Sequence, residues 1–275
     1  MNPRSRSTAL LLALSSSALA QEATNTPAAT QPAQGRFYLR QKFQVVSLRR
    51  DPSPAAREID KITSTTSLTY GLDRDKSLTL DLPITHATTT SAGADTRDLG
   101  LDDFSITFKY RPWQHDLGSV DSLRLAFFAG LEFPSGDSGF SSRSLDPFVG
   151  GVFTAILGRH GINQALSYKF NDGGERFSTR PGDGPDDAFR YDTAYLFRLD
   201  PPEYSPETTA ATYLTLELNG LYETGGDNEV LLGPGILYEA RGYALEATVG
   251  FPVITDVRDR PEREVVVTFG FRVLF

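Results

Sequence analysis

The chain has 275 residues, of which 39% are hydrophobic and 23% charged, and a formal net charge of −8. This acidic balance argues against nucleic acid as a partner, and the absence of cysteine excludes disulfides and thiol chemistry. The sequence contains no run of 18 apolar residues and therefore predicts no membrane-spanning helix.

The first twenty residues, MNPRSRSTALLLALSSSALA, have the order of a secretory signal peptide. Arg4 and Arg6 precede an apolar run over residues 8–14, and Ala18-Leu19-Ala20 forms a cleavage site. Removal of residues 1–20 would leave 25 basic and 35 acidic residues, a net charge of −10. An exported chain without cysteine fits the envelope of a Gram-negative bacterium.

Residues 21–35, QEATNTPAATQPAQG, contain no large apolar side chain. Such a stretch cannot bury enough surface to order itself. The sequence therefore predicts three parts: a signal peptide at 1–20, a flexible Ala/Thr/Pro/Gln tether at 21–35, and a single domain at 36–275.

From residue 36 onward, apolar and polar residues alternate over segments of about ten residues, as in DDFSITFKYRPW at 102–113. This period of two is the signal of a β-strand with one apolar face. The predicted strands span 36–48, 60–71, 76–87, 101–113, 121–133, 146–157, 162–171, 189–199, 211–222, 229–239, 243–254 and 263–275.

The connections between these strands mostly alternate in length. Long polar loops are predicted at 49–59, 88–99, 134–145, 172–188, 223–228 and 255–262, with shorter turns between them. Strands of ten or more residues suit a tilted membrane crossing, whereas those of soluble β-sandwiches and jelly rolls are shorter. The pattern predicts an all-β fold, a closed antiparallel transmembrane β-barrel of about 12 strands in the outer membrane, with periplasmic N- and C-termini.

The polar faces of the strands would line the barrel lumen. The predicted pore-lining residues are Arg40, Lys42, Asp81, Asp103, Lys109, Arg111, Arg124, Glu132, Lys169, Arg190, Asp192, Arg198, Glu217, Glu246 and Arg272. These charges either pair across strands and fill a narrow interior or line a path for a small-molecule solute. Their basic excess favours anionic or neutral solutes.

The apolar faces would contact outer-membrane lipid. Phe127 is predicted to face lipid, where arginine would be costly, and Ala126 the lumen, where arginine would be tolerated better. An aromatic girdle at the periplasmic interface is predicted from the following residues: Tyr70, Tyr110, Trp113, Phe197 and Tyr243. The ending TFGFRVLF resembles the C-terminal signal read by the barrel-assembly machinery, with Gly270, Val273 and Phe275 as its marks.

Four stretches resemble an outer-membrane family labelled "MetA-pathway of phenol degradation" and described as transporters. They are GLDDFSITFKYRPW (100–113), LAFFAGLEFPSGD (125–137), EVLLGPGILYE (229–239) and the terminal strand. The resemblance spans most of residues 36–275 and implies a porin-like barrel of about twelve strands that passes small compounds, including aromatic or hydrophobic ones. It brings no catalytic residues.

An enzyme is disfavoured, although some outer-membrane barrels are lipid hydrolases. Among the histidines, His115 and His160 fall in predicted periplasmic turns, and His86 has no adjacent serine. The acidic loops at 183–189 and 224–229 lack the spacing of an EF-hand. The sequence thus predicts a passive channel without catalytic residues, metal or cofactor; the alternative is a non-conducting barrel with a structural or surface-binding role.

Overall fold

The computed structural model describes residues 21–118 and 120–275. The predicted signal peptide at 1–20 lies outside these residues. Within these described ranges there is no helix long and apolar enough to cross a membrane.

The described chain is all-β, as its alternating pattern predicts. Its strands are β1 (Phe37–Arg49), β2 (Glu58–Gly71), β3 (Lys76–Ser91), β4 (Ala94–Leu101), β5 (Ser105–Asp116), β6 (Ser122–Glu132), β7 (Asp146–Leu157), β8 (His160–Lys169), β9 (Ala188–Asp200), β10 (Ala210–Glu223), β11 (Asn228–Ala240), β12 (Tyr243–Asp256) and β13 (Glu262–Leu274).

These strands form one closed antiparallel barrel. Each strand from β5 to β13 pairs with the next, and β1 closes the wall by pairing with β13 on one side and β2 on the other. β3 pairs with β5 near its start and with β4 near its end, so β4 and β5 occupy one position in the wall. The barrel therefore has twelve wall strands, which confirms the predicted number.

The two ends of the barrel differ. At the end we call the turn end, β1 begins, β13 finishes, and the connections are mostly short, such as residues 158–159 and 241–242. At the opposite end, the loop end, residues 133–145 and 170–187 form long connections. This is the layout that the alternating connection lengths predict.

The predicted loop at 88–99 is instead mostly strand. β3 continues to Ser91 and turns through Ala92 and Gly93 into β4, which pairs with it. Ala92 and Gly93 have φ values of 50° and 78°, the left-handed pair that a two-residue hairpin turn requires. A run of polar Thr and Ser hides this hairpin in the sequence because neither of its faces is apolar.

Alternate residues along each strand face the lumen and the outside. Phe127 has 52% of its surface exposed, while neighbouring Ala126 is fully buried. The exposed large residues of the strands, among them Leu82, Leu216 and Phe269, form an apolar outer wall. Such a surface on a closed barrel is the one that lipid can solvate.

The segment at 21–35 does not extend away from the barrel as a free tether. Most of the segment at residues 21–34 lies inside the lumen, where Ala23, Ala28 and Ala29 are fully buried; Ala33 and Gln34 are exposed at the turn end. The segment is rich in small residues, so it fits between the charged side chains of the inner wall. The composition predicts a flexible tether because the segment cannot form a core of its own. In the folded protein, the inner wall of the barrel supplies the groups that bind it.

Candidate functional site

The lumen and the segment inside it form the candidate site. Glu217 on β10 accepts hydrogen bonds from three consecutive backbone amides of the segment. The N···O distances are 3.1 Å from Thr24, 2.9 Å from Asn25 and 2.8 Å from Thr26. The Thr26 hydroxyl adds a further bond of 2.9 Å to the same carboxylate. Successive amides directed at one carboxylate form an anion nest.

Two arginines grip the other side of the segment. Arg40 on β1 and Arg272 on β13 both pair with Glu246, at 2.7 and 2.8 Å. Arg272 also donates to the backbone carbonyl of Glu22 at 2.7 Å, and Arg40 donates to that of Ala23 at 3.3 Å. The Glu22 carboxylate lies 3.7 and 3.5 Å from the two guanidinium groups. The segment thus takes part in a buried network of four charges.

Further polar contacts hold the segment near its start and near its end. Lys109 donates to the carbonyl of Ala28 at 3.1 Å, and Asn163 donates to that of Gln21 at 3.0 Å. The amide of Ala29 donates to the Thr154 hydroxyl at 2.8 Å. Most of these contacts recognise the backbone of the segment, so its small side chains only need to fit.

Two alanines of the segment belong to buried apolar clusters. Ala23 packs in a buried cluster with Leu196, Tyr213 and Leu237, among others. Ala29 packs against Ala126, Val152 and Ala165 on the other side of the lumen. Because each alanine buries one methyl group, polar contacts provide most of the attachment.

A glycine opens the way for the segment at the turn end. Gly71, at the end of β2, exchanges backbone hydrogen bonds with Gly35 and Arg36. A Cβ atom at Gly71 would collide with the Ala33 carbonyl oxygen. The chain can therefore pass from the lumen into β1 only because residue 71 has no side chain.

At the loop end, residues 170–187 fold over the lumen; we call them the lid loop. Inner-face side chains bind its backbone: Lys61 donates to the carbonyl of Thr179 at 3.2 Å and Arg190 to that of Pro181 at 3.0 Å. Glu223 accepts from the amide of Gly182 at 2.9 Å. The lid loop and the segment together fill the barrel from its two ends.

A charged cluster anchors the lid loop. Lys169 pairs with Glu132 at 2.8 Å and also with Asp183 of the lid loop, while Arg180 lies 3.6 Å from Asp103. Burial opposes ionisation of Asp183, but Lys169 and Arg180 outweigh it and lower the pKa of its carboxyl group. Asp183 is therefore ionised at neutral pH and holds the lid loop by charge.

All but one of the predicted pore-lining residues lie on the inner side of wall strands, and several have local partners; Asp103 lies in the connection between β4 and β5. At the turn end, Arg111 and Arg198 donate to the carbonyls of Arg74 and Pro201 at 2.7 and 2.9 Å. Asp103 accepts from the amides of Gly136 and Ser142 and so fixes a connection at the loop end. The remaining inner-face members of the set are Lys42, Asp81, Arg124 and Asp192.

The contacts that hold the segment also involve residues absent from the predicted set. Thr154, Asn163 and Gly71 are uncharged, and Glu22 lies in the stretch interpreted as a tether. The inward positions of Thr154 and Asn163 follow from strand alternation. The sequence pattern therefore predicts that they face the lumen, but not that they bind the segment.

The predicted girdle aromatics lie towards the turn end. Tyr70, Tyr110, Trp113 and Tyr243 are 36–46% exposed on the outer wall. Phe197 lies in the same region but is less exposed. The guanidinium carbon of Arg159 lies 4.6 Å from the centre of its ring. Their role at a membrane interface stays a prediction.

The C-terminal residues close the wall. Gly270 faces inward, where a Cβ atom would approach the Gln41 carbonyl oxygen at 2.7 Å. Val273 lies opposite Leu39 of β1. Phe275 exchanges backbone hydrogen bonds with Phe37 at 2.9 and 3.0 Å while 51% of its surface stays exposed. The last strand is therefore integral to closure, and the ring of Phe275 remains exposed.

The histidines do not form a catalytic arrangement in the described part of the chain. His86 is exposed and lies opposite Ile62 and Leu99 on neighbouring strands. His160 bonds to the Tyr195 hydroxyl at 2.6 Å at the turn end. The hydrogen bonds of the described residues connect no histidine to a serine.

Comparison with known proteins gives similarity in fold. The sequence matches no protein-family model, and no curated protein matches it. Among solved structures, the COG4313 outer membrane channel from Pseudomonas putida F1 is similar with a TM-score of 0.54 and 12% identity, covering 90% of this chain and 97% of the channel. The translocator domain of autotransporter NalP from Neisseria meningitidis has a TM-score of 0.48 and 12% identity, covering 90% and 91%.

The first of these similarities, together with the closed wall of twelve strands, establishes the class of fold. The chain has the fold of an outer-membrane β-barrel. At 12% identity the similarity concerns the fold alone.

Proposed function

We propose that the protein is an outer-membrane channel for passive passage of small solutes, with residues 21–34 as an internal gate. The supporting observation is the way this segment is held. Charged and polar side chains grip its backbone, and alanines make its apolar contacts. Each hydrogen bond of this kind contributes only about 1 kcal/mol net because water can replace it. A segment held in this way can leave the lumen without unfolding the wall.

The orientation follows from how such a chain would be made. After export and removal of residues 1–20, both ends of the barrel chain would lie in the periplasm and the loop end outside. The barrel-assembly machinery would engage β13 through Gly270, Val273 and exposed Phe275. Single cysteines are informative because the chain has none of its own. A cysteine at Gly226 should react with an impermeant maleimide on intact cells, and one at Glu203, in a turn-end connection, should not; the reverse would invert the orientation.

The solute preference is argued from the charges that the segment leaves behind. If residues 21–34 move out, Glu22 leaves with them, and Arg40, Arg272 and Lys109 lose the backbone carbonyls of the segment as partners. The predicted inner-face charges lean basic, which favours small anionic or neutral solutes. Aromatic or hydrophobic compounds remain the class suggested by the resemblance to the phenol-degradation family.

A non-conducting structural or surface-binding barrel is the second candidate. This function is favoured because two parts of the chain occupy the lumen: the segment enters from the turn end and the lid loop folds in from the loop end. Planar-bilayer conductance separates the two functions.

The decisive comparison is between the mature chain and a variant lacking residues 22–33. Both should migrate as heat-modifiable folded barrels on gels. We expect rare openings from the mature chain and a steady conductance, selective for anions in a salt gradient, from the deletion variant. Glu217→Ala provides a second test that keeps the chain length. Two folded variants that fail to conduct would refute the channel and leave the non-conducting barrel.

A further inference from the structure

The apolar outer wall is interrupted at two places by a glutamine that is hydrogen-bonded to a threonine. On one side, the Thr66 hydroxyl of β2 donates to Oε1 of Gln41 on β1 at 2.6 Å. On the other, the Thr193 hydroxyl of β9 donates to Oε1 of Gln164 on β8, also at 2.6 Å. The two members of each pair lie directly opposite each other in register.

The surroundings of the two pairs are the same. Across four neighbouring strands, the first row reads Phe271, Gln41, Thr66, Leu82, and the second reads Phe153, Gln164, Thr193, Leu218. We call them the first and second Phe–Gln–Thr–Leu rows. Along the strands, each glutamine lies between apolar outward residues, Leu39 and Phe43 in one case and Ile162 and Leu166 in the other.

The two rows lie on opposite sides of the barrel at a similar height. With β4 and β5 counted as one position, β8 is the seventh of twelve wall strands starting from β1, so the rows are half a circumference apart. Each glutamine is the fifth residue of a strand that starts at the turn end. With about 3.3 Å per residue and a strand tilt near 40°, this is about 10 Å above the strand starts, within the apolar band.

Each glutamine retains unused hydrogen-bonding capacity. In the first row, the Nε2 group gives one hydrogen to Ser64 Oγ at 2.8 Å; in the second, it gives one to the Asp192 carbonyl at 3.1 Å. Among the described residues, no further partner is found for the other amide hydrogen or for the second lone pair of Oε1. Lipid tails offer no partner for either, so each row presents an unmet donor and an unmet acceptor in hydrocarbon.

We infer that the barrel associates in the plane of the membrane with further copies of itself through the two Phe–Gln–Thr–Leu rows. When Gln41 of one copy faces Gln164 of another, each amide can donate its free hydrogen to the other's Oε1. The phenylalanines and leucines of the rows then pack around the amide pair. The glutamine of a second copy is a suitable partner because its amide has the complementary donor and acceptor and lies at the same depth in the membrane. Because the rows are diametrically opposed, the contact is heterologous and propagates into rows of barrels.

The test uses paired cysteines in the cysteine-free chain. Leu39→Cys and Ile162→Cys lie next to the two glutamines on the outer face. After oxidation in vesicles of outer-membrane lipid, the double variant should give a ladder of dimers, trimers and larger species. Each single variant should stay monomeric, because its cysteine faces a residue without a thiol in the next copy. The matched control is Leu125→Cys with Leu245→Cys, on β6 and β12, which are also six wall strands apart.

Adding Gln41→Leu and Gln164→Leu to the first double variant should abolish its ladder while leaving heat-modifiable folding intact. Equal ladders from the test and control pairs would mean random collision and overturn the inference. It would also be overturned by the absence of a ladder at high protein-to-lipid ratio, or by a ladder that survives both leucine substitutions. The inference is independent of whether the barrel conducts.

Discussion

Replacing Glu217 with alanine should release the segment at residues 21–34 from the lumen. Three backbone amides, of Thr24, Asn25 and Thr26, lose their common acceptor. At about 1 kcal/mol net for each bond, with water entering the lumen as a replacement, the docked state loses about 3 kcal/mol. At about 1.4 kcal/mol per tenfold change, the undocked population rises about 100-fold.

A cysteine in the segment can report this change. Asn25→Cys, in a chain without other cysteines, places a thiol inside the lumen, and its reaction with a small charged thiosulfonate reagent measures how often the segment opens. The Glu217→Ala background should speed the reaction about 100-fold, given the shift in population. Bilayer conductance should rise in parallel because the same movement opens both routes.

Glu239→Gln is the matched control. Glu239 is also a buried lumen glutamate, on β11, but in the described chain it makes no hydrogen bond to the segment. This substitution should leave the reaction rate of the cysteine unchanged or lower. Similar rates in wild type and Glu217→Ala would refute the role of Glu217. Fast reaction in the wild type would show that the segment is not held at all.

Four further outcomes are expected. Phe127→Arg should cost about 2–4 kcal/mol because it places a charge on the lipid face, measured as a lower denaturation midpoint of the heat-modifiable band. Ala126→Arg should keep that band yet open the channel in bilayers, since Ala126 is fully buried against Ala29 and the new side chain takes the place of the segment. Deletion of Phe275 should leave an exported chain without a folded band on unboiled gels; a normal band would exclude this residue as an assembly signal. Asp183→Asn should raise the conductance of the segment-deleted barrel at neutral pH. The pKa of Asp183 is lowered, so its contact is present at neutral pH and should be lost only as the pH falls below the ordinary aspartate value of about 3.9.

The wall of the barrel was predictable because strand alternation is a local property. The predicted strand at 146–157 agrees with β7, and the opposite orientations of Phe127 and Ala126 follow from a period of two. The lumen positions of Arg40, Glu217 and Arg272 follow in the same way. Lipid outside and polar groups inside impose one consistent pattern on every crossing.

The hairpin at β3 and β4 was not predictable by the same rule. The hairpin extends beyond the part of the wall in which one face must be apolar. Both of its faces are therefore polar, and the sequence shows no alternation of apolar and polar residues there. Its only local signal is Ala92-Gly93, a turn pair weaker than Asn-Gly or Asp-Gly. Pairing there is maintained by the backbone of β3 and not by a hydrophobic face.

The filling of the lumen was unpredictable for a different physical reason. Composition shows whether a segment can form a core by itself, and QEATNTPAATQPAQG cannot. The segment instead completes a polar interior that exists only after the wall has closed, with Glu217 on β10 and Arg272 on β13 separated from it by about 190 to 250 residues of sequence. Glu217 and the two arginines lie on different strands of the wall. A backbone with small side chains supplies amides to the carboxylate and carbonyls to the guanidinium groups. The traits that make the segment appear disordered, small side chains and low apolar content, are therefore the ones that let it fit this lumen and leave it again.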